Sequence, residues 1–257
     1  MASANETLEK FRKLTERAYN TVYQSFRDNA YIEQTVVQPV YVGQQAFIAS
    51  KSPPPHKNSI EVKGALRIDN LPYQRKQTAG ASKHAKGIHV LLDSLDIYKF
   101  HGDKPNLDES FLYCSTVRLA YFKRKDANWR PLLCIRYDFA KSYDAHPIFH
   151  AQLEDGIPTA EVRALFPGLP KIEAEYALPV HTNVRFPTAN VVGATALLSL
   201  AADHLALSRF PEILRAVRNQ KMFSDVWRCD CSSLDDGLPP QAMLASKWYS
   251  SKLAETA

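Results

Sequence analysis

Cysteine is scarce in this chain, with Cys114, Cys134, Cys229 and Cys231 the only four among 257 residues. So few thiols exclude a disulfide-built scaffold and lead us to expect a reduced, cytoplasmic compartment. Cys229 and Cys231 are one residue apart with no second pair, which does not suit a zinc knuckle. Long apolar runs are also missing. The longest, Val191 to Leu207, is interrupted by Asp203 and His204, so no membrane span is expected. Met1 to Thr7 has no basic stretch followed by an apolar block, and no signal peptide is expected. No segment repeats itself.

What is present is an ordinary globular composition, 45% hydrophobic and 23% charged. The length allows one large domain, and we expect a single domain over 1–257. A sheet-rich core would span about 31–187 and a helical part about 188–257. The net charge of +5 is uneven: residues 1–140 carry 21 Lys+Arg against 14 Asp+Glu, and residues 141–257 carry 11 against 13. A polyanion would therefore meet the N-terminal half.

Apolar residues at Leu8, Phe11, Leu14, Ala18, Val22 and Phe26 predict an amphipathic helix over Asn5 to Arg27. Ile32 to Ala49 is rich in β-formers and predicts two short strands or one bulged strand. Pro53 to Pro55 mark a surface loop, and Ile60 to Ile68 a strand kinked at Gly64. Asn70 to Gly87 is polar and basic. Its Arg75, Lys76, Lys83 and Lys86 could contact a nucleic-acid backbone without reading bases.

Ile88 to Phe100 predicts a strand whose apolar parity changes at a bulge near Asp93 and Ser94. Phe111 to Lys123 and Leu132 to Phe139 predict a hairpin turning at Lys123 to Asn128. In the second of these strands Leu133, Ile135, Tyr137 and Phe139 share one face, and Cys134, Arg136 and Asp138 the other. His146 to Leu153 repeats the pattern, with His146 and His150 on its polar side. Thr159 to Phe166 predicts a short helix; Ile172 to Leu178 and Val180 to Phe186 look extended. The second of these presents Arg185. A helix apolar nearly all round, from Ala189 or Asn190 to Leu207, must be buried, with Thr188 at its start. Helices over Pro211 to Trp227 and Pro240 to Tyr249 follow. Together these elements predict an α+β fold, a largely antiparallel twisted sheet packed by an N-terminal helix and a C-terminal helical segment.

The interval Arg136 to His150 gathers one arginine, two aspartates and two histidines within fifteen residues. A histidine oriented by a carboxylate can serve as general acid or base, and an arginine can hold a phosphate. Arg136, Asp138, His146 and His150 are therefore the candidate catalytic residues, with Arg185 a second phosphate contact. Whether they meet depends on strand register: paired numbers summing to an even value put them on one face, an odd sum on opposite faces. The bland alternative is a same-face ion pair between Arg136 and Asp138. His146 and His150 on a strand would lie roughly 13 Å apart, too far to share a metal, so neither metal nor cofactor is expected.

The run Ile135-Arg136-Tyr137-Asp138, then His146-Pro147 and His150, then Arg185-Phe186-Pro187 before an apolar helix, resembles uncharacterised bacterial proteins and the TumE-like toxins of toxin–antitoxin modules. That resemblance covers about Ile88 to Leu207 and implies RNA cleavage, with Arg136, Asp138, His146 and His150 as the site. This chain is much longer than those toxins. The resulting expectation is a toxin or antiviral-defence type protein acting on nucleic acid, RNA in particular. A non-catalytic subunit binding nucleic acid or a partner protein within a larger defence complex is the alternative.

Overall fold

The computed structural model describes residues 4–32, 41–43, 47–51, 59–72, 87–100, 110–140, 149–166, 168–176, 185–187, 191–206 and 208–223. Helix α1 (Ala4–Ile32) is followed by strands β1 (Tyr41–Val42), β2 (Ile48–Lys51), β3 (Ser59–Leu71), β4 (Ile88–Phe100), β5 (Ser110–Lys125), β6 (Asn128–Ala140) and β7 (Phe149–Glu154). Helix α2 (Ala160–Leu165), strand β8 (Arg185–Pro187) and helices α3 (Gly193–His204) and α4 (Phe210–Arg218) complete the order. The eight strands form one antiparallel sheet in the order β1-β3-β4-β5-β6-β7-β8, with β2 also pairing β3. The expected α+β architecture is thus present.

Three helices cover one face. Phe11, Tyr19, Val22, Tyr23 and Phe26 of α1 are buried against Val62, Leu66, Val90, Leu92, Val117 and Leu119 of the sheet, with α3 and α4 alongside. Each such side chain taken fully from water contributes about 1.5–3 kcal/mol. Leu14 departs from the expected stripe and is 46% exposed, whereas Thr15 and Tyr19 are buried. Leu8, Phe11, Ala18, Val22 and Phe26 are buried as expected, and only at Leu14 does the next residue, Thr15, take the inward position.

The anticipated bulge at Asp93 and Ser94 is not there, since β4 stays in register with both neighbours through these residues. β4 is apolar on both faces for another reason. Leu91 belongs to a second core, with Phe122, Trp129, Cys134, Phe166 and Ile172, on the side away from the three helices. The β4–β5 register shifts at Ile97/Tyr98 instead. Gly64 does not kink β3; a side chain there would run into the Phe47 ring and Ser94 Oγ. The β5–β6 hairpin turns through Asp126 and Ala127, with Asp126 at φ 55°, the conformation tight two-residue turns require.

Among the described residues of the segment expected to be extended, Ile172 to Leu178, there is an isolated bridge from Trp129 to Ile172, followed by a 3-10 turn at Ala174–Tyr176. α3 begins at Gly193, later than expected, and Thr188 lies outside the described residues. Its N-terminus is not an open anion site. Fully buried Asp96 accepts the Gly193 N–H at 2.9 Å, the Tyr19 hydroxyl at 2.9 Å and the Ser115 hydroxyl at 2.6 Å. The carboxylate thus supplies the favourable negative charge from within the protein. The helix predicted over Pro240 to Tyr249 lies outside the described residues. Among those described, no helix is long and apolar enough to cross a membrane.

Candidate functional site

The β6–β7 pairing decides the parity question. Asp138 stands opposite His150 and Arg136 opposite Gln152, so the paired numbers sum to an even value and the polar sides coincide. β5 continues the same rows, with Thr116 opposite Asp138 and Arg118 opposite Arg136, and β4 adds Asp93 opposite Arg118. On the other side Arg185 pairs with Gln152 and Pro187 with His150. Side chains two residues apart project to the same side of a strand. Asp93, Thr116, Arg118, Arg136, Asp138, His150, Gln152 and Glu154 therefore form one polar patch on the face opposite the three helices.

Ion pairs run through this patch as a chain. Arg118 donates to Glu154 Oε2 at 2.7 Å and to the Ile157 carbonyl at 3.0 Å. The other oxygen of Glu154 receives Arg136 Nη1 at 2.7 Å, and Arg136 Nε donates to Asp138 Oδ2 at 2.7 Å. Thr116 donates to Asp138 Oδ1 at 3.0 Å. His150 Nε2 is 3.6 Å from Asp138 Oδ2, within ion-pair reach but beyond a hydrogen bond. With its amide oxygen turned towards the guanidinium, Gln152 accepts from Arg136 Nη2 at 2.6 Å. The His150 side chain is only 6% exposed, against 36% for Arg136. Arg136 is thus the cation of the chain most open to a ligand.

Beside the chain lies a concavity of about 620 Å³, walled by Asp93, Thr116, Arg118, Arg136 and Glu154 of the sheet and by Asp155, Ile157, Thr159, Glu161 and Val162 from the loop and helix that follow β7. Thr159 caps α2, its hydroxyl accepting the Val162 N–H, and so fixes that wall. Asp138 and His150 lie outside the lining. The Asp93 carboxylate forms no hydrogen bond or ion pair with another described residue. Burial pushes its carboxyl up to about 6, opposed by Arg118 and reinforced by Glu154. Burial also pushes the Cys134 thiol up to about 12, which keeps it protonated and poorly nucleophilic. No group of three or more His, Cys, Asp or Glu side chains among the described residues is arranged to hold a metal ion.

No family model matches the chain, nor does any curated sequence or solved structure.

Of the residues expected from sequence, Arg136, Asp138 and His150 come together. His146, Arg75, Lys76, Lys83 and Lys86 lie outside the described residues, and Arg185 is described only by its place in β8. The sequence pattern does not mark Asp93, Thr116, Arg118 or Glu154 as site residues. Thr116 and Arg118 alternate with buried Val117 and Leu119, and that period of two was the available signal.

Proposed function

We propose that this polar face acts on nucleic acid, in the manner of a bacterial toxin or antiviral-defence protein working in the cytoplasm, by cleaving RNA. The observation that carries this reading is the register that sets Asp138 across from His150 with Arg136 on the same face. In the proposed reaction the 2′-oxygen of a ribose attacks the adjacent phosphorus and the P–O5′ bond breaks. The 2′-hydroxyl proton passes to His150, and the 5′-oxygen leaves with a proton from the imidazolium or from water. Asp138 orients and steadies the imidazolium, and Arg136 stabilises charge on the phosphorane. This chemistry needs no metal or cofactor. His146 is the alternative proton-transfer group. The basic stretch with Arg75, Lys76, Lys83 and Lys86, together with Arg185, would hold the backbone.

A second reading, a non-catalytic nucleic-acid- or protein-binding subunit of a larger complex, is favoured by the charge pattern. Both guanidiniums of the patch are already bridged by Glu154, and four carboxylates line the concavity against two arginines. Expression of wild type, His150→Ala and Arg136→Ala, with growth and RNA integrity measured, separates the readings. Growth arrest and RNA loss confined to wild type support cleavage. Intact RNA and normal growth with wild type favour the binding subunit.

A further inference from the structure

The concavity beside the ion-pair chain has a feature that RNA cleavage at His150 leaves unused. Its volume of about 620 Å³ lies within the roughly 300–1,000 Å³ of small-ligand sites. Arg118, Arg136 and Glu154, three of its charged walls, are committed to one another. Asp93 is not: it is flanked by Ala65 on β3 and Arg118 on β5 in the backbone ladder, and its carboxylate makes no hydrogen bond or ion pair among the described residues. An ionised carboxylate accepts and cannot donate, so the ligand group facing it must bring donors. Ile157 and Val162 supply apolar contact to the same space.

We infer that this concavity holds one unpaired base of a single-stranded RNA and that Asp93 reads its hydrogen-bond-donor edge, which makes guanine the preferred base. The inference rests on the cleavage reading above and names the substrate feature that the same face selects. Guanine alone among the four bases offers two adjacent donors on its pairing edge, the ring N–H and the exocyclic amine, and two carboxylate oxygens match them. Adenine and cytosine offer one amine beside a ring acceptor, which would face Asp93 with like partial charge. Uracil offers one N–H between two carbonyls. Four carboxylates against two engaged arginines favour a neutral donor edge inside the cavity, and the phosphate then sits outside at the more exposed Arg136. Recognition of a splayed-out base in a pocket, with the backbone held separately, is the usual division of labour in single-strand RNA binding.

The test uses the full chain and four labelled uridine hexamers, one unmodified in sequence and three carrying a single central G, A or C. Binding is measured by fluorescence anisotropy on 2′-O-methyl versions, which cannot be cleaved, and cutting on the unmodified RNAs. The G hexamer should bind roughly tenfold more tightly than the others, the discrimination of one good paired contact to a base. Asp93→Asn should erase that difference while keeping the affinity common to all four. The Asp93 carboxylate has no hydrogen bond to lose and its burial opposes its charge, so this variant should melt no lower than wild type at neutral pH, and its melting transition is recorded in parallel. Equal binding of all four hexamers with cutting intact overturns the inference and leaves the cleavage reading standing. So does a G preference that survives Asp93→Asn. If wild type neither binds nor cuts any hexamer, the cleavage reading fails and this inference with it. Binding of an arginine-rich peptide in place of RNA, abolished by Asp93→Asn, overturns it in favour of a protein partner.

Discussion

Asp138 faces His150 across the β6–β7 pair, its Oδ2 atom 3.6 Å from His150 Nε2, and gives that same oxygen to Arg136 Nε at 2.7 Å. One carboxylate thus serves the histidine, the arginine and, through its second oxygen, Thr116. Asp138→Ala removes the acceptor of Arg136 Nε and of the Thr116 hydroxyl, and the carboxylate beside His150, and should cost about 1–3 kcal/mol, read as a lower urea midpoint with unchanged slope. An unchanged midpoint would mean that the contacts contribute nothing net, as many exposed pairs do.

Glu154 joins the two arginines, and Arg118, only 9% exposed, depends on it. Removing one partner of a largely buried pair strands the other charge, so Glu154→Ala should destabilise by about 3 kcal/mol. Glu154→Gln, which keeps an acceptor oxygen, should lose less. Thermal melts of the two variants check the order, and a larger loss for the glutamine variant would contradict it.

Stability should depend on pH through Asp93 and Asp96, both raised to about 6 by burial. Below about pH 4 these carboxyls are protonated whether the chain is folded or not. Between about pH 4 and 6 the unfolded chain releases protons that the folded one retains, so stability falls as pH rises through this window. Above it the loss is complete, on the order of 3 kcal/mol for each group. Asp93→Asn removes one share: its stability relative to wild type should rise from pH 4 to pH 7 in urea unfolding. Parallel pH curves for the two proteins would contradict the assignment.

The division of faces along β6 was legible because alternation has a period of two and Leu133, Ile135 and Tyr137 alternate with Cys134, Arg136 and Asp138. The register was not, because one strand's parity holds no information about its partner's alignment. β4 misled for a related reason: Leu91 and Leu92 are both buried, under different cores, so two apolar parities mark a strand buried on both sides and not a bulge. Asp93 could not be recognised as a cavity residue, since the wall opposite it comes from α2 and the preceding loop, more than sixty positions away. The charge neutralising the start of α3 was equally hidden, because Asp96 meets Gly193 only in the folded chain.

The central claim is that the face carrying Arg136, Asp138 and His150 processes RNA. The most direct measurement is cutting of single-stranded RNA by the purified chain, with folding of each variant verified by its melting transition. Wild type should cut, and His150→Ala should cut about 10²–10⁴-fold more slowly, the usual contribution of a general acid or base. Arg136→Ala should also be impaired. Intact RNA after incubation with wild type, or undiminished cutting by folded His150→Ala, would contradict it.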